Sequence, residues 1–514
     1  MIQNTNLNLI FADSFNFQAE FQPMITTMKP FQSILLFLFI LFVINFAYLD
    51  GQQPDSNDFK VDPNMNLSKI LGADELDKCF NDHNYRKNHS AIDRIDDVSR
   101  IMLDGAKFFA LRLFKTLNLF EPKQNSNGLI FSPASIWSTM ILAYLGSEGE
   151  TEQELSSRLK LNQLSKSQVA LAYRSINWWK DLKSTMNNGN NNKAKKPADA
   201  TMVSNANKIY VDDRIKLNEC FQRNFRQEIE QKPFSSRPNE CVQEINDWVM
   251  QQTKGKINDL IVPGTITPMT KLIMINAIYF KSFWAQKFDR QRTQRQKFYV
   301  TNDEQLDVDM MTMDSISVMY GVSDSLGVQA IEIPYSNPDY SLLILLPDPV
   351  RTLDSLIQDL SLPKLQELFE QMYDDEVMLM LPRFHAEQEF ELAGALFSIG
   401  IKKLFDPRYA NLALLFNSSS SDNQNQNDAN DENQTMKIAL DSVVHKSFIT
   451  VNEDGTEAAA ATAMIFARSG RPAFPTEFIA NRPFLYMIRD LSTNMILFLG
   501  TVRRPKPSSS TTSS

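Results

Sequence analysis

Cysteine and histidine are scarce in this 514-residue chain, with three and four copies. Cys79, Cys220 and Cys241 cannot build a disulfide framework: at most one pair forms and one thiol is left over. Cys79 lies in a polar stretch over residues 50–95, where bonding to another molecule is also open to it. No metal-ligand spacing exists among these cysteines and the histidines, so no metal site is expected. Glycine is sparse too, at 16 residues, and no phosphate-cradling glycine loop stands out; no cofactor is expected. No serine sits in a G-x-S-x-G elbow, which leaves a hydrolytic Ser–His445 pair without support. Positive charge is outnumbered, 52 Lys+Arg against 61 Asp+Glu for a net −9, which argues against a nucleic-acid partner.

Long hydrophobic runs are likewise missing. The apolar stretch Ile34–Val43 has ten residues, too few for a membrane span but the length of a signal-peptide core. Met28-Lys29-Pro30 supplies a basic start to it. Residues 1–27 are therefore expected to belong to neither signal nor mature protein, and 28–51 to be a signal peptide cut shortly after residue 47; a signal anchor is the alternative. Secretion into the extracellular space makes four sequons meaningful as glycosylation sites, at Asn66, Asn88, Asn417 and Asn433.

What is present reads as one globular domain. Composition is ordinary, 43% hydrophobic and 22% charged. Helical spacing dominates early, as in Ala110, Leu113, Phe114 and Leu117, whereas strand-like runs such as Tyr340–Pro347 concentrate later, giving an α+β class. About 400 residues would by default mean two domains, but no linker separates two cores, so a single domain over 100–505 is expected. Residues 52–99 form a polar N-terminal extension, and 506–514 a disordered tail. Two Asn- and Ser-rich insertions, 186–198 and 417–434, cannot bury a core and are expected as disordered surface loops. Lys193, Lys195 and Lys196 in the first read as a solvated loop, or as a diffuse patch for sulfated polysaccharide.

The most informative segment is Val451-Asn452-Glu453-Asp454-Gly455-Thr456-Glu457-Ala458-Ala459-Ala460-Ala461-Thr462-Ala463. Local propensity favours an alanine-rich helix capped by Thr456. Read as a strand, one face carries Thr456, Ala458, Ala460, Thr462, Met464 and Phe466, free of charge and proline. This run resembles the hinge of the serpin reactive-centre loop. Other landmarks of that family follow in the same order: Asn127–Ile136, similar to N-x-x-x-F-S-P-x-S-I, then Ala143–Thr151, Ile245–Val249, Thr253–Ile257, Leu272–Trp284, Arg482–Arg489 and Ile496–Gly500. The likeness covers residues 100–505.

The resemblance implies a serpin fold: a large mixed central β-sheet, two further sheets, eight or nine helices and an exposed reactive-centre loop at 453–475. It implies a secreted, non-enzymatic, monomeric inhibitor of a serine protease that acts as a suicide substrate. The protease stays esterified to the cut loop while the loop inserts into the sheet as a strand, forming a covalent complex. Glu453, Gly455, Thr456, Glu457, Ala458, Ala459, Ala460 and Ala461 are then the hinge. Ser132, Ser135, Asn276 and His445 become the shutter where the sheet parts, although Ser132 before Pro133 also reads as a plain helix N-cap. Trp284 becomes the breach tryptophan, against a plain reading as core. Family spacing puts Ser469 before the reactive bond Ser469–Gly470. Arg468–Ser469 is chemically more attractive, because a trypsin-like pocket would bind Arg468 by bidentate hydrogen bonds. Ser469 would suit an elastase-like pocket. Arg471 is a third candidate, weakened by Pro472. A serpin-shaped carrier that traps nothing is the competing function.

Overall fold

A computed structural model describes residues 76, 79–80, 95–121, 126–189, 201–416, 438–456 and 476–506, all within one compact unit, Leu71–Ser514. Its helices begin with α1 (Ile95–Phe120), which buries the 3–4 spaced stripe Val98, Met102, Phe109, Leu113 and Leu117 and places Asp96 and Asp97 in its first turn, where the helix dipole favours acid. After the two-residue β1 (Ile130–Phe131), α2 (Pro133–Gly146) is apolar all round and buried at every position. It starts sharply because Pro133 follows Ser132, whose hydroxyl oxygen accepts from the Ser135 N–H. Then come α3 (Gly149–Leu159), α4 (Lys166–Gly189), β2 (Met202–Asp212), α5 (Glu219–Asn224), β3 (Ile229–Lys232), α6 (Pro238–Gln252) and β4 (Leu272–Phe283). Helix α4 runs on through Met186–Gly189, past the point where an insertion was expected to begin.

The later chain supplies β5 (Gln294–Tyr299), β6 (Gln305–Ser323), β7 (Val328–Pro334), β8 (Tyr340–Pro347), α7 (Leu353–Asp359), α8 (Leu362–Gln371), β9 (Tyr373–Pro382), β10 (Phe384–Glu391) and α9 (Ala393–Ser398). It ends with β11 (Ser442–Asn452), β12 (Gly455–Thr456), β13 (Thr476–Ile479), β14 (Phe484–Asp490) and β15 (Met495–Val502). One mixed sheet runs β10-β11-β12-β4-β2-β3. The other strands meet on β6, whose start pairs β5 and whose end pairs β7, in the order β1-β15-β14-β8-β7-β6-β9-β13. The α+β class, the mixed sheet and nine α-helices among the described residues agree with expectation.

Two apolar cores sandwich the six-stranded sheet. The larger holds α1, α2 and the second sheet on its inner face. The smaller packs Val249, Ile257 and Leu260, from α6 and the turn after it, on the outer side-chain row Ile273, Ile275, Ala277 and Val444. Cys79 and Cys220 are disulfide-bonded across a sequence separation of 141. Leu76 and Phe80 are buried, and the Phe80 ring meets Phe221 edge-on, so part of the expected polar extension is packed on α5. Cys241 is free and buried, the leftover thiol.

Candidate functional site: the seam between β4 and β11

The two strands lie parallel and hydrogen-bonded from Ser442 opposite Ile273 up to Phe448 opposite Tyr279. Above Phe448 they part. The chain turns back after Asn452, and Gly455–Thr456 wedges between them as β12, antiparallel to both: Gly455 opposite Asn452 and Phe283, Thr456 opposite Val451 and Ser282. Glu453, Asp454 and Thr456 are buried rather than exposed as the start of an open loop, because β12 pairs on both edges and anchors the residues before it.

Gly455 sits at φ +150°, where a Cβ would meet the Ser282 carbonyl oxygen at 2.1 Å and Phe283 Cα at 2.6 Å. Only glycine fits so close a backbone approach. The Thr456 hydroxyl and Tyr335 Oη share a hydrogen bond at 2.7 Å; Tyr335 stacks on Trp284, ring centroids 4.7 Å apart. Trp284 in turn donates Nε1–H to the Asn452 carbonyl at 2.9 Å and its backbone N–H to the Asp454 carbonyl at 2.9 Å. It therefore both fills core and holds the turn into β12. The carboxylates flanking that turn are neutralised. Glu453 accepts from Arg383 Nε at 2.7 Å and from the Thr293 hydroxyl at 2.5 Å, while Asp454 pairs with Arg290 and lies 3.8 Å from Lys287. The hydrogen bond that Arg290 donates to the Asp454 carboxylate raises the Arg290 pKa above its ordinary value.

A second polar group lies under the zipped part of the seam. His445 and Asn276 are opposite each other on β11 and β4, both fully buried and facing α2. The Ser132 N–H donates to His445 Nε2 at 3.0 Å, and the Thr139 hydroxyl to Asn276 Oδ1 at 2.9 Å. Since Nε2 accepts, the histidine proton sits on Nδ1. Burial drives the His445 pKa down to about 3, with the Asn276 backbone pulling weakly the other way. His445 Nδ1 and Asn276 Nδ2 are buried with no hydrogen-bond partner among the described residues. Ser135 is close by, but its hydroxyl donates to Asn207 on β2, at 2.5 Å.

A family model described as serpin (serine protease inhibitor) matches residues 104–505. The chain belongs to the serpin family. It is 32% identical to human Serpin B8 over 77% of this chain and 97% of that one, and 32% identical to a leukocyte elastase inhibitor of Xenopus laevis over the same shares. The solved structure of a tumour suppressing serpin superposes with a TM-score of 0.65, at 23% identity, over 79% of this chain and all of that one.

Of the serpin residues expected from sequence, the structure brings Ser132, Asn276 and His445 together, sets Ser135 one step aside, and gathers Glu453, Gly455, Thr456 and Trp284 at the open end of the seam. Glu457, Ala458, Ala459, Ala460, Ala461, Arg468, Ser469 and Gly470 lie outside the described residues, as do Asn66, Asn88, Asn417, Asn433, Lys193, Lys195, Lys196 and the segment 28–51. Sequence reasoning missed Tyr335, Thr139, Asn207, Arg290, Thr293 and Arg383. Their partners lie 70 to 164 positions away, so no local spacing announces them.

Proposed function

We propose that this serpin is a secreted suicide-substrate inhibitor of a serine protease, trapping the acyl-enzyme by feeding residues 457–465 into the β4–β11 seam. The observation carrying this reading is β12 itself, a strand already started between two others. Continuing its register downward sets each further residue opposite one on β4 and one on β11, as far as Ile273 and Ser442. Residues 458 and 460 would then face the inner core beside Phe280, Ile449, Ile278 and Ser447, where alanine fits. Residue 462 would fall between His445 and Asn276, so the Thr462 hydroxyl would reach the two unpartnered donors as their strands separate. Ser132, Ser135, Asn276 and His445 act here as the shutter, and Trp284 as the breach. Strand addition, of which serpin insertion is a standard example, satisfies backbone groups along both edges at once.

Arg468 is proposed before the cut bond, for a trypsin-like target; Ser469, for an elastase-like one, is the second reading. Secretion is supported by the apolar run at 34–43 and by the Cys79–Cys220 bond, which an oxidising compartment favours. Incubation with trypsin or elastase, followed by a denaturing gel, tests the mechanism. An SDS-stable complex with trypsin and a new N-terminus at Ser469 is expected. Cleaved inhibitor alone would favour the carrier reading, and cleavage after Ser469 the elastase-like one.

A further inference from the structure

The seam has an outer face as well as an inner one, and its charges are unequal. On β4 the inner side chains are those of Asn276 and Ser282; Lys281, one position from Ser282, is on the outer face. Thr450, next to the inward Val451, is on the outer face of β11, opposite His385 of β10, and its hydroxyl shares a hydrogen bond with His385 Nδ1 at 3.0 Å. Lys281 faces Met202 across β2 and is half-buried. Nearly every other cation along this sheet has an acidic partner: Lys208 with Glu230, Lys446 with Glu387 and Glu389, Arg383 with Glu453. Lys281 has none among the described residues.

The described chain stops at Thr456, one residue short of the level of Lys281. Continued at the register of Gly455–Phe283 and Thr456–Ser282, a strand would bring the next position, 457, between Lys281 and Thr450, on the outer face. The sequence puts a glutamate there. We propose that Lys281 is a positioning residue for insertion: it is the waiting counter-charge that receives the Glu457 carboxylate as the first step beyond β12, with the Thr450 hydroxyl as a second donor. The inference rests on the insertion reading above. It adds a register lock, because a slip of one residue would put Glu457 on the inner face and an alanine opposite Lys281. Directly opposed charges on neighbouring strands attract when unlike and repel when like.

The test is a charge swap in the full-length protein. Lys281→Glu and Glu457→Lys are made singly and together, and each is titrated against trypsin for the number of inhibitor molecules consumed per protease trapped. Each single variant is expected to raise that number up to about fivefold, the effect of a like-charge pair of ordinary cross-strand size on the competition between insertion and deacylation. The double variant should return it close to the starting value, and 1 M salt should shrink both single-variant differences, since the pair is partly exposed. The melting temperature of the uncut protein checks that the variants are folded. Single variants that trap like the parent, or a double variant whose defect is the sum of the two, overturn the pairing while trapping itself stands. A parent protein that forms no stable complex overturns both.

Discussion

At the scale of single residues, the seam is governed by a few atoms with no latitude. Gly455→Ala must push a methyl group into the backbone of β4 while holding a positive φ. A loss of about 1–3 kcal/mol from the native state is expected, read as a lower denaturant midpoint. His445 makes a pH prediction with a definite sign. Its pKa is about 3 in the folded protein and 6.5 when unfolded, so below pH 6.5 the unfolded chain takes up a proton that the folded one refuses. Its contribution to stability is therefore complete above pH 6.5 and declines toward pH 3, by about 1.4 kcal/mol for each pH unit. Urea midpoints at pH 7 and pH 5 should converge in His445→Gln relative to the parent; an unchanged gap between them would count against the buried neutral imidazole. The serine, asparagine and histidine of this group were legible because short family motifs carry them. Thr139 was not, since its helix is anonymous in sequence and only folding sets its hydroxyl against Asn276.

At the scale of elements, legibility tracks how much of an element's conformation is decided locally. Helix α1 follows from apolar spacing, and β14 and β15 from continuous apolar runs. The two-residue β12 does not: its sequence context favours helix, and two pre-existing strand edges override that preference. Those edges also dictate where obstruction would act. Thr462→Arg is expected to convert the inhibitor into a plain substrate, because a guanidinium would have to enter the buried level of His445 and Asn276 without a counter-charge. Rapid cleavage with no SDS-stable complex is the expected result, and normal trapping would contradict the register. The pairing of Cys79 with Cys220 was equally illegible, as cysteine count allows several pairings. The bond closes a long loop, and Cys79→Ser should lower stability by up to about 5 kcal/mol on loop-entropy grounds, seen as a lower melting temperature that reductant no longer changes.

At the scale of the whole molecule, the proposed insertion requires that the intact protein has not reached its lowest free energy. Parallel β4 and β11 bond directly over seven residue pairs, whereas an added strand between them would gain hydrogen bonds along two edges in place of one. On that proposal the intact form persists because a barrier holds it. Proteolytic cutting of the loop should therefore raise the melting temperature sharply; equal values for cut and uncut protein would remove the physical basis of trapping. The fold class and the single domain were legible from periodicity and colinear motifs over some 400 residues. The seating of Gly455–Thr456 between β4 and β11 was not, being the outcome of a competition between chain segments far apart in sequence.

The position of β14 and β15 in the second sheet has a further consequence. These strands follow all the others in chain order, yet β14 lies between β15 and β8, and β15 pairs with β1, joining Gly500 to Ile130. A chain emerging from the ribosome at about 5–20 residues per second holds its apolar strands β7 and β8 and helix α2 without their final neighbours until β14 and β15 have been made. Closure of this sheet is consequently a late, all-at-once event, and a stop codon just before Met495 would leave β1 and β14 without the strand that joins them.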